Sequence, residues 1–505
     1  MDTEKRTRWM RTSASIASLW FLISVAALAA ELPDAAEKQD WPRVDSLVSA
    51  KSDVNAAQAD GTTPLHWAAY HDRDALVAKL LAVGAKADAA NRYGITPLLL
   101  ACQNGNGNVV RALLDAGANA NATQRGGETA LMVAARTGRP APVKLLLEKG
   151  AKVDAQDRTG QTALMWAAAD GHAEVISLLV AKGADVKRRL KAGFTALLFA
   201  AREGKPAAVK ALLAAGADVK DAIATENKIG GRDAPNGTSA VLLAVENGHY
   251  ELALELIKAG AGPNDSRSGF TALHALTWVR KPPRGDDEAG QAPPETTGRV
   301  TSLEFIRRIV AAGANVNAPL AADAKGRSTG SLGLTAATPF LLAAKTADLP
   351  MMKLLVELDA DPQRANADGS TPLMAAAGLA CTAPDEEAGT EDECLAACEY
   401  LLGLGADINA VDKRGQTAMH GAAFKNLPKV AKLLAARGAD IEVWNRKNDR
   451  GWTPLLIAQG FRQGNFKPDA ATIAAISEAM LAKGVQPPPP PNRDSLPKKK
   501  GYEKR

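Results

Sequence analysis

Aromatic side chains make up only 4% of this 505-residue chain, although 46% of it is hydrophobic. Sandwich and barrel cores draw on aromatic and β-branched residues, so this scarcity favours helices packed through alanine and leucine. Cysteine is scarce too: Cys102, Cys381, Cys394 and Cys398 are the whole complement, which excludes a small disulfide-framed fold. No Gly-rich phosphate loop, no metal-binding histidine pair on one helix turn and no serine or cysteine nucleophile motif is present. The chain therefore offers no catalytic constellation and calls for no cofactor. A strong charge bias is missing as well. The formal net charge is +5, and the first 29 residues carry Lys5, Arg6, Arg8 and Arg11 against Asp2 and Glu4, which leaves about +3 on the rest. That is too little to argue for a nucleic-acid partner.

Long apolar runs are confined to one place. Ile16 to Leu28 follows the basic cluster and ends in Ala27-Leu28-Ala29, small residues at the spacing a signal peptidase reads. The stretch falls short of the about 20 residues that span a bilayer, so cleavage after Ala29 is expected rather than retention as an anchor. The expectation is an exported protein, periplasmic or secreted from a bacterium, with no membrane span after cleavage. At the other end Pro487–Pro491 forms a stiff spacer before a basic, solubilising tail ending Lys498-Lys499-Lys500 and Lys504-Arg505.

What the chain has in abundance is one phrase, Gly-x-Thr-[Pro/Ala]-Leu. It starts at Thr63-Pro64-Leu65-His66 and returns at Thr96, Thr129, Thr162 and Thr195, each step 33 residues long. Weaker or displaced copies follow at Ser239, Thr271, Thr338, Thr371, Thr417 and Thr453. A second phrase, Gly-Ala-[Asp/Asn], trails them, as at Gly117, Gly183, Gly216, Gly313, Gly405 and Gly438. Self-similarity at this period marks a stacked solenoid. Thr caps free N–H groups at a helix start, and Pro suits the first turn. The following Leu-x-x-Ala-Ala gives a slim helix face. A second helix ends in paired leucines such as Leu113-Leu114, and Gly closes it. The Ala-x-Asp-x-x-Gly segment that remains suits a tight turn between two short extended arms.

These phrases resemble the ankyrin repeat family, over roughly residues 35–484 and in eleven copies. The resemblance implies an all-α repeat solenoid of helix–turn–helix units with β-hairpin fingers along one edge. It divides the chain into a signal at 1–29, a degenerate capping repeat at 33–58, regular repeats at 59–218, repeats with insertions at 219–484 and a tail at 485–505. Val44, Leu47 and Val48 would supply the apolar face of the first cap, and Ile473, Ile476, Met480 and Leu481 that of the last. Family members bind proteins through residues around the finger glycine. Carried onto this sequence, that surface comprises Arg92, Tyr93, Arg125, Arg158, Lys191, Phe194, Arg267, Phe270, Arg414 and Trp452, with Lys413 and Arg450 beside them. The set is basic and aromatic, as protein-binding hot spots are, and suits an acidic protein partner. The oligomeric state is left open. Trp67 and Trp166 read as packing residues. His66, His274 and His420, at the fourth position of the phrase, would bridge neighbouring fingers.

Departures from the period are where this chain is individual. The step from Thr195 to Ser239 is 44 residues, which lengthens the finger around 222–235, and the finger around 319–336 is also long. Two further insertions, Lys281 to Val300 and Thr382 to Glu393, fall between paired helices; the second holds six acids and no base. Cys381 and Cys394 flank it, and in an oxidising compartment a disulfide closing that loop is expected. Cys102 and Cys398 read as buried thiols. Three alternatives to the binding role carry less: a metal held by Cys381, Cys394, Cys398 and His420, a small-molecule activity in the insertions, and a scaffold or immunity-like partner for a neighbouring gene product.

Overall fold

The computed structural model describes residues 31–225, 235–283, 292–321, 332–379, 381, 383–384, 386–462 and 467–490. The expected signal, the tail beyond 490 and the centres of the long fingers and of the first inter-helix insertion lie outside these residues. The chain forms two compact units, Met1–Asp221 with Thr225–Asn227, and Ala222–Ala224 with Lys228–Arg505.

In the first unit, helices Glu31–Glu37 and Trp41–Ser49 begin the array, and Val44, Leu47 and Val48 are buried as the cap required. Inner helices Pro64–Tyr70, Pro97–Asn104, Ala130–Thr137, Ala163–Asp170 and Ala196–Arg202 then pack in sequence, each on the next. Outer helices Asp74–Ala82, Gly107–Asp115, Pro140–Glu148, Ala173–Ala181 and Pro206–Ala214 stack beside them. The alanine pairs 68–69, 134–135, 167–168 and 200–201 are fully buried between inner helices, and Cys102 fills the same slot. Burial in that apolar slot pushes its thiol pKa far up, so it stays neutral.

The second unit repeats the plan with interruptions. Its inner helices are Ala240–Glu246, Ala272–Arg280, Pro339–Lys345, Pro372–Ala376, Ala418–Lys425 and Pro454–Ala458. Its outer helices are Tyr250–Lys258, Ser302–Ala311, Leu349–Glu357, Glu391–Gly403, Pro428–Ala436 and Ala470–Leu481. Ile476 and Met480 are buried in the last of these, whereas Leu481 is exposed.

The fingers differ from the expected hairpins. Among the described residues they are turns without strands, and only single bridges occur, Thr123 with Thr129 and Ala222 with Ser239. A short polar side chain holds several of the turns: Asn91 Oδ1 accepts from the N–H groups of Tyr93 and Ile95, and Asp157 Oδ1 from those of Thr159 and Gln161. Such side chains mimic a turn's own backbone bond and make a ladder unnecessary. Some successive fingers share a backbone bond, as when Arg92 N–H donates to Asp60 O at 2.7 Å and Arg158 N–H to Gly126 O at 3.1 Å. Gly127 lies at φ 86°, which favours glycine, and a Cβ there would also press on Arg158 N at 3.2 Å.

Two of the three histidines, His66 and His274, bridge repeats as expected, whereas the buried Nε2 of His420 makes no hydrogen bond among the described residues. His66 Nδ1 accepts from Thr63 N–H at 3.1 Å, so Nε2 carries the proton and donates to Ile95 O of the next finger at 3.0 Å. His274 repeats this with Thr271 and Ala337, and His420 Nδ1 accepts from Thr417. A second proton would have to sit on Nδ1, facing an N–H donor in a buried site. Burial accordingly lowers the pKa values of His274 and His420 to about 4. In the unfolded chain each titrates near 6.5, so the unfolded state takes up protons first on acidification. Each group's contribution is complete above pH 6.5 and is lost as pH falls toward 4, up to about 3 kcal/mol apiece. Urea unfolding at pH 7.5 and 4.5 should therefore show a marked fall in midpoint for the native chain and a smaller one for His274→Gln/His420→Gln. Equal falls would refute this assignment.

Candidate functional site

The first unit brings the predicted partner residues into register. Arg92, Arg125, Arg158 and Lys191 each stand two positions before a finger glycine, one per repeat, and all four are exposed. Among the described residues no carboxylate lies within ion-pairing distance of Arg125 or Arg158. Arg92 donates to Tyr93 OH at 2.7 Å, and both Arg92 and Arg125 lie over the exposed Tyr93 ring, 4.9 and 5.9 Å from its centroid. The field of Arg92, after the Thr62 N–H bond, helps hold the Asp60 carboxyl below its ordinary range.

Beside this basic row runs a second one that sequence reasoning set aside. Trp67, Leu100, Val133, Trp166 and Phe199 occupy the same position of successive inner helices, and the first four are half-buried rather than enclosed. Trp67 Nε1 donates to the finger residue Gln58 at 3.0 Å, so inner helices and fingers share one face. Arg136 covers the Trp166 ring at 5.6 Å, and Arg202 lies between Phe194 and Phe199 at 5.3 and 5.1 Å. The signal that could have found this row was present: Trp67 and Trp166 are three full 33-residue steps apart. Phe194 joins it as a half-buried ring.

The second unit does not present its predicted residues in the same way. Phe270 is 2% exposed and packs edge-on against Trp278 at 5.1 Å, which removes it from any surface. Arg267 folds back onto Asp265 through two hydrogen bonds of 3.0 and 2.6 Å. Arg414 faces Asp449 at 3.6 Å, and Arg450 lies over Trp452 at 5.5 Å. Charges on these fingers are met within the fold.

The insertions also turn inward. Residues 292–300 lie back on the preceding repeat, where Thr297 Oγ1 meets His249 Nδ1 at 2.9 Å and Arg299 N–H donates to Glu251 at 2.6 Å. In the acidic insertion Glu391, Asp392 and Glu393 form the first turn of an outer helix, where carboxylates suit the helix dipole, and Thr390 with Glu393 closes a capping box. Lys429 pairs with Asp392 at 2.6 Å, Lys345 with Glu387 at 3.6 Å, and Lys281 with Glu393. Bases from neighbouring repeats thus offset the acids. Nearby, Arg280 grips Asp348 through bonds of 2.7 and 3.0 Å, and Asp348 also caps Met351 N–H. A cavity of about 370 Å³ beside this pair is lined by Arg280, Lys281, Pro350 and Glu393, whose charges are paired with one another or with Asp348.

The disulfide expected between Cys381 and Cys394 is absent here: both are free, buried thiols, as are Cys102 and Cys398. Among the described residues no three His, Cys, Asp or Glu side chains converge as metal ligands, so Cys381, Cys394, Cys398 and His420 make no such cluster. Among them, too, no helix is long and apolar enough to cross a membrane.

Comparison with known proteins gives one consistent result. A family model for ankyrin repeats in three copies matches residues 32–124, 65–157, 131–223 and 388–466, more than half of the chain in all. Human ankyrin repeat and SOCS box protein 6 is 31% identical over 126 residues, which is 23% of this chain and 30% of that protein. The mouse B-cell lymphoma 3 protein homolog is 35% identical over 218 residues, 39% of this chain and 44% of that protein. Neurogenic locus notch homolog protein 1 of Xenopus tropicalis is 32% identical over 174 residues, 34% of this chain and 6% of that protein. The chain spans less than half the length of each of these relatives.

Asp348 is 1% exposed, so Arg280→Met would strand a buried carboxylate. A loss of about 3–5 kcal/mol from the second unit is expected in chemical unfolding. Arg280→Met/Asp348→Asn should recover most of it, and failure to recover would show the ion pair to be incidental.

Proposed function

We propose, from a chain that belongs to the ankyrin repeat family, a protein-binding function carried by the finger edge of the first unit. Ankyrin repeats in general mediate protein–protein interaction, and the family is in general non-enzymatic. The observation that supports this surface is its pairing of two rows at one pitch: cations at Arg92, Arg125, Arg158 and Lys191, and an apolar row from Trp67 to Phe199. A partner with acidic residues along one side and apolar residues along the other would meet both. The cations would speed encounter and set orientation, and the half-buried rings would supply the desolvated contacts that dominate affinity.

The test is a fourfold charge reversal, Arg92→Glu, Arg125→Glu, Arg158→Glu and Lys191→Glu, with Arg267→Glu and Arg414→Glu as a control pair. These finger positions are exposed or half-buried, so folding by circular dichroism should be preserved. Affinity for the partner recovered with the native chain is expected to fall by more than about tenfold for the fourfold variant and little for the control. Added salt should weaken native binding in the same direction. Equal recovery by all three proteins would remove this face from the account.

Export is a second element of the proposal. It rests on Lys5 to Arg11, the apolar stretch to Leu28 and Ala27-Leu28-Ala29. N-terminal sequencing of the protein from a secreting host is expected to begin at or next to Ala30. Recovery of an intact Met1 in the cytoplasm would overturn it.

A further inference from the structure

The second unit encloses a lysine that no carboxylate among the described residues meets. Lys425 closes the inner helix Ala418–Lys425, is 5% exposed, and donates from Nζ to Ala388 O in the acidic insertion. Among the described residues no carboxylate stands within 4 Å of that nitrogen. Nζ also lies 3.4 Å from Cys394 Sγ, a sulfur 1% exposed that is in turn 3.9 Å from the Gly389 carbonyl. A buried ammonium without an anion beside it is costly, and of the two groups it touches among the described residues the thiol can supply a negative charge by giving up a proton.

We propose that Cys394 and Lys425 form a thiolate–ammonium pair, which makes Cys394 the oxidant-reactive thiol of this chain. The co-reactant is a small peroxide, since only a small oxidant reaches a sulfur this enclosed. The thiolate sulfur attacks one peroxide oxygen and the O–O bond breaks. Lys425 passes its proton to the departing hydroxide, which leaves as water. The products are a sulfenic acid on Cys394 and a neutral amine on Lys425: sulfur has lost two electrons and the peroxide has gained them. The other thiols differ. Burial and the neighbouring Glu387 push Cys381 up to about 12, and burial raises Cys398 well above its ordinary value, so both stay protonated. Cys102 sits in its alanine slot with no cation. A Cys381 thiol can condense with the sulfenic acid, releasing water and closing the bridge that the sequence suggested. Oxidation also removes the charge that faces Lys425, so the same step alters how the insertion is held to the next repeat.

The experiment treats the reduced, folded full-length protein with hydrogen peroxide, unfolds timed samples in denaturant containing dimedone so that the probe reaches every sulfur, and follows all four thiols by peptide mapping. Cys394 is expected to react at least about tenfold faster than Cys102 or Cys398, as thiolate fraction sets the rate. Lys425→Met should slow it by a similar factor, and Lys425→Arg should restore part of the rate. A dimedone adduct on Cys394, or a Cys381–Cys394 disulfide appearing without dimedone, supports the proposal. Cys394 reacting no faster than Cys102 in the native chain overturns it, and that ranking needs no variant to fold. An unchanged rate in folded Lys425→Met overturns it equally.

Discussion

Close stacking of inner helices through paired alanines is the constraint on which the rest of this protein depends. With Ala68-Ala69, Ala134-Ala135, Ala167-Ala168 and Ala200-Ala201 fully buried, neighbouring helices approach closely, and no repeat could bury that face alone. The same approach brings finger to finger, so that Arg92 N–H reaches Asp60 O and the His66 ring reaches Ile95 O. Everything carried on this frame inherits its pitch. A cation two residues before each finger glycine becomes a row of cations, and one apolar residue per inner helix becomes a row of apolar residues.

The two units use that frame in different ways. In the first, an unbroken period leaves Arg125 and Arg158 exposed and without carboxylate neighbours among the described residues, beside half-buried rings. In the second, insertions interrupt the period and the charges are absorbed within the fold. Arg280 meets Asp348, Lys281 meets Glu393, and Lys429 meets Asp392. The acidic insertion, which by composition invites a reading as a binding loop, is instead a strap held by lysines of neighbouring repeats. Its inner anchor is Lys425, and there the fold has placed an ammonium against a thiol rather than a carboxylate.

Much of the fold was legible because the relevant interactions are short in sequence and repeat. The Thr caps, the slim alanine faces, Cys102 in an alanine slot and the bridging histidines each follow from a local phrase whose environment recurs every 33 residues. The finger turns were half legible. The Asp or Asn three positions before the glycine was visible, yet its bonds to two N–H groups make a turn where a hairpin was expected. The arrangement of the candidate site was legible only where the period held. Position alone found the basic row, but the same reasoning placed Phe270 on the surface, where Trp278 in fact covers it.

The sequence by itself determined the repeat, the helix pairs and the side of each repeat that carries the fingers, because these rest on capping, helix-face periodicity and turn chemistry within a few residues. Tertiary structure decided which charges remain open to a partner. Arg280 and Asp348 are 68 residues apart, Lys281 and Glu393 are 112 apart, and Cys394 and Lys425 are 31 apart. Each of these pairs involves a residue in or beside an insertion, so no contact that recurs from repeat to repeat announces it. Whether a cation is spent or available depends on which neighbour the insertions bring within reach, and that is settled only when the repeats are stacked.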